Sequence, residues 1–290
     1  MPEKNAVPLT ESRRLDWIYA WALLALTTVV FWPAASWLTT QAFAREQLKQ
    51  SFILVVLAGV WIAWEKRAAL RLDLRVSNVT LVWLFTSYVL AASALFFDQT
   101  LLFLAGMVAA LGGMVNYVFG GQAFRRTLPL LSVFALLILC VLLFPVLDWP
   151  LRRMAGIESA QLLKTLGLAP ELVITRGSPS QLLLKSGEQA FIVATECNGF
   201  GLITSSVLLG MIRLLYRRVR LWSFALLLPF CVAVGFVFNF LRITVIVLLA
   251  PLGPKHYLVL HETAGLIALY TGLGLVWYLT GGTRPNHPTA

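Results

Sequence analysis

Between Arg126 and Asp148 the chain runs for 21 residues without a charged side chain. The centre of this stretch, LLSVFALLILCVLLF, is apolar on every side. It shows neither the two-residue alternation of a half-buried strand nor the polar stripe of a surface helix. About 20 such residues, wound as a helix, cross the hydrocarbon layer of a bilayer. Inside that layer a backbone has to satisfy its own polar groups, which leaves helices or closed barrels. A barrel would be built of short alternating strands. The run therefore predicts a membrane-spanning helix.

The pattern recurs along the chain. Apolar runs at about 15–38, 51–64, 77–97, 100–121, 127–147, 191–212, 221–250 and 256–280 predict eight crossings. The composition agrees, with 59% hydrophobic and only 12% charged residues. A soluble domain carries about twice that charge. This excludes a soluble enzyme, a disordered chain and a secreted disulfide scaffold. The expected fold is all-α: one integral-membrane bundle over residues 1–290, with about eight transmembrane helices. The first run is too long for the apolar part of a cleavable signal peptide, so none is expected. In the first five runs the clearest polar group is Asn116, with Gly112 and Gly113 nearby. Small residues there predict close helix packing.

The formal net charge of +10 would suit a nucleic-acid partner in a soluble chain. In a membrane chain it marks cytoplasmic loops and lipid headgroups instead, so no nucleic-acid partner is expected. One set of loops holds Arg13, Arg14, Lys66, Arg67, Arg71, Arg75, Arg125, Arg126, Arg213, Arg217, Arg218 and Arg220. The alternate short loops hold only Arg45, Lys49 and Lys255. Short loops dominate orientation, so both termini are expected in the cytoplasm. The long 148–190 segment, in which Asp148, Glu158, Glu171 and Glu188 dilute the basic residues, is expected outside as a small cap or a substrate-facing loop.

Chemistry concentrates in the last three runs, which form an expected catalytic region over 191–280. TECNGFG places Glu196, Cys197, Asn198 and Gly199 near the outer start of the sixth run. NFLRI places Asn239 and Arg242 inside the seventh, and HETAG places His261 and Glu262 in the first turns of the eighth. At 1.5 Å per helical residue, Arg242, His261 and Cys197 lie roughly 12, 8 and 9 Å below the outer ends of their helices. The expected topology thus brings all three to one level on one side.

Arg242 is the most constrained of them. A guanidinium inside an apolar run costs at least about 2.5–3.5 kcal/mol to insert. It needs a partner or a wet cavity, and its functional use would be to hold an anion or a developing oxyanion. Its structural use would be a pairing with a carbonyl or with Glu262. Asn239 lies at i−3 on the same face and would orient the guanidinium or a substrate amide. A thiol near a helix N-terminus is favoured as thiolate. With an imidazole and a guanidinium at its level, Cys197 has the logic of a nucleophile, His261 that of a proton shuttle, and Arg242 that of an oxyanion partner. Glu196 and Glu262 would tune His261, bind basic substrate groups or simply line the polar rim.

Other chemistries lack their residues. HETAG begins like HExxH, but Gly265 stands where the second zinc ligand belongs. Cys140, Cys197 and Cys231 are widely spaced, with no CxxC. No metal and no cofactor is expected. A reading of a different class is a transporter or export component for an anionic sugar or lipid, with Arg242 as its anion site and no need of a thiol.

The order of these motifs resembles the exosortase/archaeosortase family. The residues that carry it are Cys197-Asn198-Gly199, then Asn239-Phe240-Leu241-Arg242-Ile243, then His261-Glu262-Thr263-Ala264-Gly265. The resemblance implies a membrane-embedded cysteine transpeptidase of the PEP-CTERM type in a bacterial inner membrane. It implies exported protein partners bearing a C-terminal tail of short motif, transmembrane helix and basic cluster. It further implies Cys197 as nucleophile, His261 as general acid/base and Arg242 as stabiliser, on the periplasmic or outer side. Many bacterial members continue Cys-Ser-Gly-Ile/Leu-Arg/Gln, whereas this chain continues Cys-Asn-Gly-Phe-Gly. The tail motif, the acceptor and the oligomeric state are not specified by these residues.

Overall fold

The computed structural model describes residues 9–65, 67, 72, 74, 76–175, 181–186, 189–193, 197–216, 221–249 and 257–281. They form helices α1 (Leu9–Phe43), α2 (Glu46–Glu65), α3 (Asn78–Phe97) and α4 (Thr100–Thr165), then strands β1 (Pro170–Thr175), β2 (Gln181–Ser186) and β3 (Gln189–Ile192). Helices α5 (Phe200–Tyr216), α6 (Leu221–Leu249) and α7 (Tyr257–Leu279) follow. Among the described residues six helices are long and apolar enough to cross a membrane, and Phe200–Leu215 is a shorter apolar helix. The surface of the long helices is apolar: Trp32, Trp61, Phe85, Phe96 and Tyr278 are all exposed. In a soluble protein such a surface would aggregate; in a bilayer it meets lipid. The chain is an all-α polytopic membrane protein.

Two features of the middle of the chain have local causes. The runs at 100–121 and 127–147 are two helical stretches of α4 that follow one another without a loop, parted at Gly120, where the backbone takes the non-helical φ 76° and ψ 172°. That conformation is essentially closed to residues with a Cβ. The 148–190 segment is mostly ordered secondary structure. Its first part continues α4 to Thr165, and it then supplies β1, β2 and most of β3.

The chain divides into two compact units. The first comprises Met1–Gln41 and Leu57–Ile138. Within it Asn116 is buried and donates to Ser77 Oγ and Thr80 Oγ1, both at 2.9 Å. A Cβ added to Gly113 would lie 2.9 Å from the Leu84 side chain, and one added to Gly112 would lie 3.0 Å from the Trp83 ring. The small residues do serve close packing.

The second unit comprises Ala42–Val56 and Leu139–Ala290. Its helices approach closely at glycines. Gly235 of α6 faces the backbone of α5, so that an added Cβ would sit 2.6 Å from Ile203 Cα. Gly201 of α5 faces α2 in the same way, at 3.0 Å from Gln47 Cα. One turn on, Ser51 and Ser205 share a buried hydrogen bond of 2.9 Å. Without water to drive association, such contacts hold membrane helices together. Gly235→Ala is expected to push α6 from α5 and destabilise the unit by about 1–3 kcal/mol, measured as a lower unfolding temperature in detergent. An unchanged temperature would mean that this close approach is not needed.

The three strands form an antiparallel sheet in the order β1-β2-β3, with Val173 opposite Leu183 and Leu184 opposite Phe191. Alternate residues of β2 point inward, as strand geometry requires. Leu182 and Leu184 are fully buried, and the neighbouring Lys185 is exposed. The buried leucines join Val193, Ala155 and Leu163 of α4, and Ile243 and Val247 of α6. Cys197 belongs to the same cluster. The sheet is therefore the seat on which the chain carries Cys197 from α4 to α5.

Candidate active site

Cys197 lies in a turn ahead of α5 rather than inside a helix. A helix beginning near 191, with Cys197 in its second turn, is replaced by β3 ending at Ile192 and α5 beginning at Phe200. Gly199 is the cause, because its φ of +78° is left-handed and breaks any helix through it. Asn198 then caps α5: its Oδ1 accepts the Phe200 N–H at 2.8 Å. The other end of the same amide, Nδ2, donates to Asp148 Oδ1 at 2.6 Å. The Cys197 carbonyl accepts from Asn239 Nδ2 at 2.9 Å. A Cβ on Gly199 would lie 2.6 Å from Asn239 Cγ, so glycine is required here twice over, for conformation and for room.

The three groups expected at one level do meet. Arg242 projects from α6 one turn beyond Asn239, and His261 lies near the start of α7. Arg242 NH2 is 2.9 Å from His261 Nε2, and Cys197 Sγ is 4.0 Å from that same nitrogen. A guanidinium carries only donors, so Nε2 accepts and the imidazole is neutral, with its proton on Nδ1. The lone pair that faces the thiol is thus the one that Arg242 engages. Gly265, one turn along α7 from His261, makes room for the guanidinium; an added Cβ would lie 3.2 Å from Arg242 Cζ. The residue that breaks the HExxH pattern is the surface on which the arginine rests.

A cavity of about 460 Å³ opens beside these groups. Gly199, Asn239, Arg242, His261, Glu262 and Gly265 line it, with Leu266 and Leu269 below. Cys197 is 9% exposed and stands behind this lining. Glu262 is exposed at the cavity wall, one residue from His261. Glu196 lies outside the described residues. The cavity also takes Glu46, Gln47 and Gln50 from α2, which the three sequence motifs do not include. They stand in the polar stretch REQLKQS ahead of the apolar run at 51–64 and read only as a loop between two crossings. Asp148, which touches Asn198, also stood apart from the three motifs and read only as a loop charge.

Residues 37–278 match the family model described as transmembrane exosortase. No curated protein and no solved structure matches the chain.

Proposed function

The chain belongs to the transmembrane exosortase family, and from that premise we propose that it cuts the C-terminal sorting tail of exported proteins through a thioester on Cys197. The observation that carries this reading is the position of Cys197 Sγ, 4.0 Å from the Nε2 that Arg242 holds in its neutral form. A neutral Nε2 is a base, and a thiol is a weak nucleophile until a base takes its proton.

The steps follow from the groups present. Arg242 turns from His261 toward the carbonyl oxygen of the scissile peptide, which frees the Nε2 lone pair. Nε2 takes the thiol proton, and the thiolate attacks the carbonyl carbon. Negative charge develops on the carbonyl oxygen beside the guanidinium, which stabilises it as a charged hydrogen-bond donor. The C–N bond breaks as the imidazolium returns the proton to the leaving nitrogen. An amine, a hydroxyl or water then attacks the thioester, the C–S bond breaks, and the attacker's proton passes through His261 to regenerate the thiol. The substrate is an exported protein with a motif, a transmembrane helix and a basic cluster at its C-terminus. The protein resides in the inner membrane with both termini cytoplasmic and Cys197 facing the periplasm or exterior. Asn239 and Asn198 hold the turn that bears the thiol, and Glu262 serves the polar wall.

The acyl-enzyme itself provides the test. Mixing the purified chain with a tail-bearing substrate is expected to add the mass of the substrate's N-terminal part to Cys197, and hydroxylamine is expected to release it. A substrate that is cut without any hydroxylamine-labile adduct on Cys197, even after rapid quenching, would overturn the thioester.

A further inference from the structure

Asp148 lies on α4, fifty residues from the nucleophile turn, yet it grips that turn. Asn198 is fully buried and uses both ends of its amide. Oδ1 accepts the Phe200 N–H at 2.8 Å, and Nδ2 donates to Asp148 Oδ1 at 2.6 Å. The amide cannot be turned over, because the backbone N–H only donates and the carboxylate only accepts. The second carboxylate oxygen is ion-paired with Arg152 one turn on, and both side chains are largely buried. The Arg152 guanidinium lies over the Trp149 ring, 5.4 Å from its centroid. The two oxygens of Asp148 therefore divide their roles. One is held by its own helix, and the other holds Asn198.

We infer that Asp148 is the positioning residue of the nucleophile: through Asn198 it fixes where Cys197 Sγ stands relative to His261. This rests on the proposed cysteine mechanism. Asn198 is the residue between Cys197 and Gly199, so a shift of its amide moves the thiol. The Sγ–Nε2 separation of 4.0 Å is already at the long end of a hydrogen bond to sulfur, so a further shift away would break it. A displacement of about 1 Å from reacting geometry costs on the order of 100-fold in rate. A hydrogen bond to a carboxylate is short and stronger than a neutral one, which suits a clamp. Arg152 keeps that carboxylate paired. If stability alone were at stake, an apolar pair would hold these helices as well or better.

The test uses the full-length chain in detergent with a tail-bearing peptide. It reads kcat, KM and the site-resolved rate of Cys197 alkylation by iodoacetamide. Asp148→Ala is expected to lower kcat by roughly 30–100-fold while KM stays within about threefold, and to lower the alkylation rate alongside. Asp148→Asn keeps a neutral acceptor and loses about fivefold. Asn198→Asp sets two carboxylates against each other and falls as far as Asp148→Ala. Combining Asp148→Asn with Asn198→Asp rebuilds the pair with its roles exchanged, and most of the activity and alkylation returns. A role in stability alone would lower the unfolding temperature without that pattern. Unchanged kcat and alkylation in Asp148→Ala would overturn the proposal. So would an exchanged pair that folds like the wild type yet recovers nothing over Asn198→Asp. If the wild type cuts no substrate, the cysteine mechanism fails instead, and the alkylation rates still decide whether Asp148 places the thiol.

Discussion

Cys197→Ser is expected to stop release of the C-terminal tail, lowering kcat by about 10⁴-fold or more, as loss of the nucleophile does in cysteine and serine hydrolases. Serine differs by one atom, and the turn does not depend on the sulfur. Asn198 and Asn239 hold it through an amide and a backbone carbonyl. The fold is therefore expected to survive with its unfolding temperature nearly unchanged. The chemistry is not, because a hydroxyl 4.0 Å from a neutral imidazole is a much poorer nucleophile than a thiol. The measurement is the mass of the substrate protein recovered from membranes carrying either variant. Tail removal at the wild-type rate would end the cysteine mechanism. A wild-type chain that removes no tail from any substrate would instead favour Arg242 as the anion site of a transporter for an anionic sugar or lipid.

Arg242→Gln is expected to lower processing by about 10²–10³-fold, the usual effect of removing one donor from a developing oxyanion. It is expected to do so without disabling the thiol. At rest the guanidinium engages the same Nε2 that Cys197 faces. Removing it frees that lone pair, so alkylation of Cys197 by iodoacetamide is expected to persist at the wild-type rate or faster. Arg242→Lys places a single charge where a planar fork lay on Gly265, and partial activity is expected. Alkylation that collapses together with processing would assign Arg242 to holding His261 in place rather than to the oxyanion.

Much of this could be read before the fold. The apolar runs predicted the spanning helices because hydrocarbon admits a helix to almost any apolar sequence of the right length. Cys197, Arg242 and His261 were legible as exceptions within those runs. Their common level was expected from helical rise and crossing direction, although that reckoning placed Cys197 inside a helix and it lies in a turn ahead of one. The strands β2 and β3 were signalled as well, by QLLLKSGEQAFI, in which Gly187-Glu188 parts two short runs in the manner of a hairpin. The apolar residues near 191 obscured this, since β3 leads into the α5 run with little change in hydropathy.

The sequence by itself determined the solvent and the helical class and singled out Cys197, Arg242 and His261 as candidates, because each depends on the chemistry of single residues or of one continuous stretch. Only the tertiary structure decided that Cys197 sits in a turn, that Arg242 rests on Gly265 and engages His261, and that Glu46, Gln47 and Gln50 share their cavity. It alone joined Asp148 to Asn198 across fifty residues. A hydrogen bond of 2.6 Å between residues fifty apart depends on where the fold places α4 against the turn ahead of α5, which neither residue's sequence neighbourhood specifies.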